Sequence, residues 1–145
     1  MRLVLQRVSR SQVRVDGAVI AEGGPGLLIL VGIGVDDAED EPEKLATKVW
    51  HLRIFEDDQG KMNRAIEHVG GNIVIVPQFT LYGDTSGGRR PSWIRAASPD
   101  VAGPKVERFA GALSSLGATV RTGAFREHME VELVNDGPVT LILEA

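Results

Sequence analysis

The stretch Gly70–Thr85, GGNIVIVPQFTLYGDT, constrains this chain more than any other. It opens on a Gly-Gly turn and runs through Ile73–Val76, a β-branched apolar run bounded by turn signals that predicts a buried strand. Pro77 then interrupts. A proline has no N–H for a sheet ladder, so it marks a strand end, an edge or a bulge. Gln78, Phe79 and Thr80 follow, presenting an amide, a ring and a hydroxyl where a core strand stops. Beyond them Gly83–Arg90 is a polar, glycine-rich loop closing on two guanidiniums. Core strand, polar groups, basic loop: that order predicts a binding edge.

A chain of 145 residues is one domain, 1–145, able to bury about two-thirds of its unfolded surface. Leu3-Val4-Leu5 begins a strand that continues through Gln6 and Arg7. Val13–Val15 and Ala18–Ile20 flank Asp16-Gly17, the pair favoured in a two-residue hairpin turn with positive φ at both positions. With the Gly23–Gly26 turn and the apolar run Leu27–Val31, the first third reads as a β meander. Pro42 fits the first turn of a helix capped near Asp40 or Glu41, and Leu45, Val49 and Leu52 form its core-facing stripe. The acidic run Asp36–Glu43 reads as a solvated helix start that complements the dipole. Ser98-Pro99-Asp100 signals a second helix, irregular at Gly103-Pro104, with Val106, Phe109, Ala110, Leu113 and Leu116 on its apolar face and Gly117 as its stop. Short strands at Thr119–Arg121 and Met129–Val134, a turn at Asn135–Pro138 and a closing strand at Val139–Leu143 complete the chain. The fold class is α/β (α+β): a mostly antiparallel sheet with two main helices.

Several classes of function find no residues to carry them. Net charge is −4, so nucleic acid would have to meet a local basic patch rather than a diffuse positive field. No cysteine is present, so there is neither a disulfide framework nor a thiolate metal site, and no cofactor motif is found. No apolar run approaches a membrane span and the N-terminus lacks a signal-peptide core, so the expected location is cytoplasmic, with no membrane partner. His51, His68 and His128 are scattered and read as surface or packing residues. Three features remain, each with an ordinary reading beside a functional one. Gln78-Phe79-Thr80 is a strand end whose polar groups satisfy nearby backbone, or a site. Asn135–Pro138 is a tight turn, or a rigid element with fixed carbonyls. Arg89, Arg90, Trp93 and Arg95 are a mobile loop, or a clamp for phosphate with an indole to stack a base.

In combination these features resemble one family. PQFTL followed by GRRPSW, the helix start ASPD, the C-terminal VNDGPVT and the opening MRLVLQRVSRSQVRVDG are similar, in collinear order, to the D-aminoacyl-tRNA deacylases. The resemblance implies a barrel-like core and a homodimeric hydrolase with its site at the subunit interface. It would cleave the ester joining a D-amino acid, or glycine mischarged on tRNA(Ala), to the terminal adenosine of tRNA. Gln78, Phe79 and Thr80 match the family's catalytic segment. Gly137-Pro138 matches its Gly-cis-Pro dipeptide, which reaches into the partner's site and blocks L side chains, and Arg7 matches the arginine that holds it. Phe125 and Met129 fall where the family lines its adenine pocket. Pro77 stands where the family usually has serine, which resembles a related animal-type deacylase of relaxed chirality. The chemistry expected is attack of water on the ester carbonyl, with main-chain N–H groups at Phe79 and Thr80 stabilising the oxyanion and the tRNA 2′-OH assisting. Thr80 as covalent nucleophile is the rival, and it needs a base that the motif does not supply. A non-catalytic RNA-binding module and a small-molecule esterase are the alternatives of other kinds.

Overall fold

A computed structural model describes the whole chain, Met1–Ala145. In order it forms β1 (Arg2–Val15), β2 (Ala18–Gly23), β3 (Gly26–Gly32), α1 (Glu41–His51), β4 (Phe55–Glu56), β5 (Met62–Arg64), α2 (Ile66–Val69) and β6 (Asn72–Pro77). A single 3-10 turn (Phe79–Tyr82), α3 (Pro99–Leu116), β7 (Thr119–Thr122) and β8 (Glu130–Glu144) follow. The two expected helices are α1 and α3, joined by the one-turn α2. No helix is long and apolar enough to cross a membrane.

β1 organises the sheet. It pairs antiparallel with β8 along one edge and with β2 and β3 along the other, while β6 and β7 extend β3 as a parallel wing. The sheet curls until β2 lies over β6, where a Cβ added at Gly23 would stand 3.1 Å from the Val74 side chain. The result is a nearly closed, barrel-like sheet. Asp16 and Gly17 take φ values of 49° and 79°, the primed turn expected of Asp-Gly.

Two expected turns are not turns. Ser11 lies opposite Gly23 and Val8 opposite Gly26, so β2 and β3 follow one register along β1, and Gly24-Pro25 only interrupts the pairing. The first third is therefore a long, interrupted hairpin, not a meander. Asn135–Pro138 does not reverse the chain either. Gln6 faces Thr140 and Val8 faces Asn135, so the single residue Arg7 stands opposite Asp136, Gly137, Pro138 and Val139. That is a wide bulge within the long strand β8. α3 is likewise continuous through Gly103-Pro104.

Two cores use opposite faces of the same strands. Leu3, Leu5, Leu27, Ile29, Ile73 and Ile75 pack beneath Leu45 and Val49 of α1 and Val106, Phe109 and Leu113 of α3. Val8, Val13, Leu28, Val74 and Val76 fill the barrel interior. Buried on both faces, β3 and β6 carry continuous apolar runs rather than alternation.

Candidate active site

β3, β6 and β7 run parallel, and all three end at the same side of the molecule. There Val31 pairs with Pro77, and the Gln78 N–H donates to the Val31 carbonyl at 2.7 Å before the chain leaves the sheet. Proline ends the ladder at this point, and the next residues wind into the 3-10 turn Phe79–Tyr82. The first N–H groups of such a turn have no partner inside it. Those of Phe79 and Thr80 make no other backbone hydrogen bond. Gln78 Nε2 donates to Thr80 Oγ1 across the start of the turn.

A cleft of about 670 Å3 opens beside this turn. One wall is Pro77, Gln78, Phe79 and Trp93, the second is Phe125–Met129 with Val131, and an apolar back is made by Val31, Ile33, Val76, Ala97, Ala102 and Val106. Phe79 and Trp93 meet edge to face at 5.3 Å between ring centroids, while Met129 also packs on the interior core. Phe79 stays 57% exposed, a ring held at a rim rather than spent in the core. The Asp84 and Ser92 backbones exchange hydrogen bonds of 2.9 and 2.8 Å and close the loop that carries the arginines. The Ser86 hydroxyl and N–H hold the Asp84 carboxyl below its ordinary value.

The structure thus brings Gln78, Phe79, Trp93, Phe125 and Met129 to one cleft, with Thr80 on the adjoining turn. Arg89 and Arg90 are exposed at the tip of the closed loop and do not line it. Arg7, Gly137 and Pro138 lie outside it too, and form a unit of their own. Arg7, 5% exposed, donates from Nε to the Asp136 carbonyl at 2.8 Å and from Nη1 to the Ile54 carbonyl at 2.7 Å. The Gly137–Pro138 bond is cis, and Gly137 has φ +145°. His128, read from sequence as a surface or packing residue, is exposed but lines the cleft with Arg126 and Glu127. The apolar back wall was not anticipated; its small residues at 96, 97 and 102 leave the room for a cleft, which no local pattern announces.

An aromatic-walled cleft beyond the carboxyl ends of parallel strands, edged by free main-chain N–H groups, has the features of a small-ligand site. The comparisons specify which. A family model described as D-Tyr-tRNA(Tyr) deacylase matches residues 4–144. Proteins named D-aminoacyl-tRNA deacylase from Heliobacterium modesticaldum and Symbiobacterium thermophilum are similar at 53% and 52% identity, over 99% and 100% of this chain and 96% of each relative. A solved structure described as a c-Myc DNA unwinding element binding protein superposes with TM-score 0.94 at 34% identity, covering 100% of this chain and 99% of that one. One described as a "probable eukaryotic D-amino acid tRNA deacylase" has the same fold, with TM-score 0.83 at 19% identity over 98% and 97% of the two chains. The chain belongs to the D-aminoacyl-tRNA deacylase family.

Proposed function

We propose that this chain is a hydrolase that frees D-amino acids, and glycine mischarged on tRNA(Ala), from the 3′-terminal adenosine of tRNA. One observation carries the reading: Gln78 and Phe79 line a single cleft with Phe125 and Met129, in a chain that matches named deacylases over its whole length. The adenine enters between Phe125 and Met129. This lays the ester beside the 3-10 turn, where the Phe79 and Thr80 N–H groups receive the developing oxyanion. Water adds to the carbonyl, the ribose oxygen leaves as a hydroxyl, and the neighbouring 2′-OH assists the proton transfer.

Thr80 is a poor candidate for a covalent nucleophile. Its hydroxyl accepts a hydrogen bond from the Gln78 amide, which is no base. The ionisable residues lining the cleft are Arg126, Glu127 and His128, and none of them makes a hydrogen bond with Thr80. Gln78 is better suited to orienting Thr80.

Chiral selection belongs to Gly137-Pro138, supplied by a second copy of the chain, since within one chain this bulge lies outside the cleft. A rigid turn clamped by Arg7 captures the α-amino group with carbonyls and leaves no volume for an L side chain, a rejection by exclusion rather than by weaker binding. Arg89 and Arg90, beyond the cleft, suit phosphates of the acceptor end.

Matched D-aminoacyl-, L-aminoacyl- and glycyl-tRNA test the reading directly. Loss of the D and glycyl esters with the L ester intact supports it. Cleavage of all three makes Pro77 the mark of a relaxed site. Salt-sensitive tRNA binding without cleavage makes the chain a binding module.

A further inference from the structure

The 3-10 turn that carries Phe79 and Thr80 cannot hold its own shape. It spans only four residues, and at its two ends Leu81 N–H bonds the Gln78 carbonyl at 3.3 Å and Gly83 N–H bonds the Thr80 carbonyl at 3.0 Å. Such turns have poor hydrogen-bond geometry, and isolated short helical turns are marginal in water. An oxyanion site needs donors fixed before the charge arrives. The rigidity must come from elsewhere.

It comes from a second, polar cavity of about 240 Å3, lined by Arg2, Gly34, Asp37, Tyr82 and Arg95 among others. Arg2 Nη1 donates to the Leu81 carbonyl at 2.6 Å, and the same guanidinium lies 5.0 Å from the centre of the Tyr82 ring. The Tyr82 hydroxyl donates to Asp37 Oδ1 at 3.1 Å. Asp37 is itself fixed, accepting the Gly34 N–H at 2.6 Å and pairing with the Met1 ammonium at 2.6 Å, with its side chain 9% exposed. This corrects the reading of Asp36–Glu43 as wholly solvated. A Cβ at Gly34 would come within 2.7 Å of Tyr82 Cε1, so the ring lies flush on bare backbone. Burial first, and the Asp37 carboxylate next, push the Tyr82 phenol far above its ordinary value, so it stays a protonated donor.

Resting on the deacylase reading above, we infer that Arg2 and Tyr82 are positioning residues: together with Asp37 they lock the 3-10 turn, and so aim the Phe79 and Thr80 N–H groups at the reacting carbonyl. Neither residue lines the substrate cleft. Both act through the main chain of the turn.

The test uses Tyr82→Phe and Arg2→Met, singly and together, with kcat and KM measured on D-aminoacyl-tRNA and amide exchange followed at Leu81 and Gly83. Each single change is expected to lower kcat about tenfold with KM little altered, because misaimed donors cost the transition state and not ground-state binding. The double change is expected to cost little more than either alone, since both release one turn. Exchange at Leu81 and Gly83 should accelerate while β6 amides keep their protection. Unchanged kcat and exchange in both single variants would overturn the inference. So would a loss of activity that vanishes once corrected for the folded fraction. If the wild-type chain leaves the D ester intact, the deacylase reading falls and takes the catalytic part with it. The exchange measurement then still decides whether the pair anchors the turn.

Discussion

Gly137 sits at φ +145°, where an added Cβ would stand 2.9 Å from the Val139 nitrogen, 2.8 Å from Val139 Cγ2 and 3.1 Å from Arg7 Nη2. Two of those neighbours cannot yield cheaply: one is backbone, and the other belongs to the clamp on the Asp136 carbonyl. Gly137→Ala is therefore expected to cost about 1–3 kcal/mol of stability. It should also narrow the gap between D and L ester hydrolysis; denaturant midpoints and the D-to-L rate ratio measure the two effects. Ser11 makes the opposite case. Its hydroxyl is buried without a hydrogen-bond partner. Removing an unsatisfied polar group is neutral or favourable, so Ser11→Ala should leave stability unchanged or raise it by up to about 1 kcal/mol. A clear loss in equilibrium unfolding would mean that the hydroxyl is bonded after all.

Among the elements, α3 carries the largest fully buried side chain of the core, Phe109, pressed against the sheet between α1 and the parallel wing. Phe109→Ala should cost about 3–5 kcal/mol, read from the same midpoints. The outer seam between α1 and α3 is electrostatic and weak. Arg108 bonds both Glu43 carboxylate oxygens at 2.8 Å, and that bond holds the Glu43 carboxyl below its ordinary 4.5. A lowered folded value means that the contribution is present above pH 4.5 and disappears as pH falls through the folded value. Glu43→Gln should therefore flatten the acid limb of stability slightly, and added salt should do the same, because the pair is exposed. The helices and their stops were legible because periodicity, Pro42 and Gly117 are local signals. That the chain leaves the sheet at Gln78–Thr80 was legible from Pro77, which cannot continue the ladder, whereas a part for these residues in a site was read only through the family resemblance. The bulge at Asn135–Pro138 was not. Turn residues state that the chain bends there, but that Val139–Leu143 rejoins the same edge of β1 is decided by a strand about 130 residues away. The course of Gly24-Pro25 is set in the same way by the register of β1.

At the scale of the molecule, the residues assigned to hydrolysis and those assigned to chiral selection occupy separate regions of one chain. Gln78–Thr80 stands at the carboxyl ends of the parallel strands, and Gly137-Pro138 on the β1–β8 seam beside Ile54. On the same β8, Val134 and Ile142 remain exposed, Ile142 by 67%. In the proposed twofold dimer each copy would lend its bulge to the other's cleft. The arrangement can be separated from a self-contained site by mixing two damaged chains. Phe79→Pro removes one oxyanion N–H at the first position of the turn, where proline is tolerated. Phe79→Pro and Gly137→Ala homodimers should each be impaired, the first in rate and the second in D-ester selectivity. Co-refolded in equal amounts, half the dimers would be mixed, and each mixed dimer would hold one doubly damaged site and one intact site. Selective D-ester hydrolysis should then return to about a quarter of the wild-type level. Were each site built from a single chain, every site in the mixture would keep its defect and nothing would return. Recovery of the D-specific rate therefore measures the exchange of Gly137-Pro138 between copies, and its absence would confine the site to one chain.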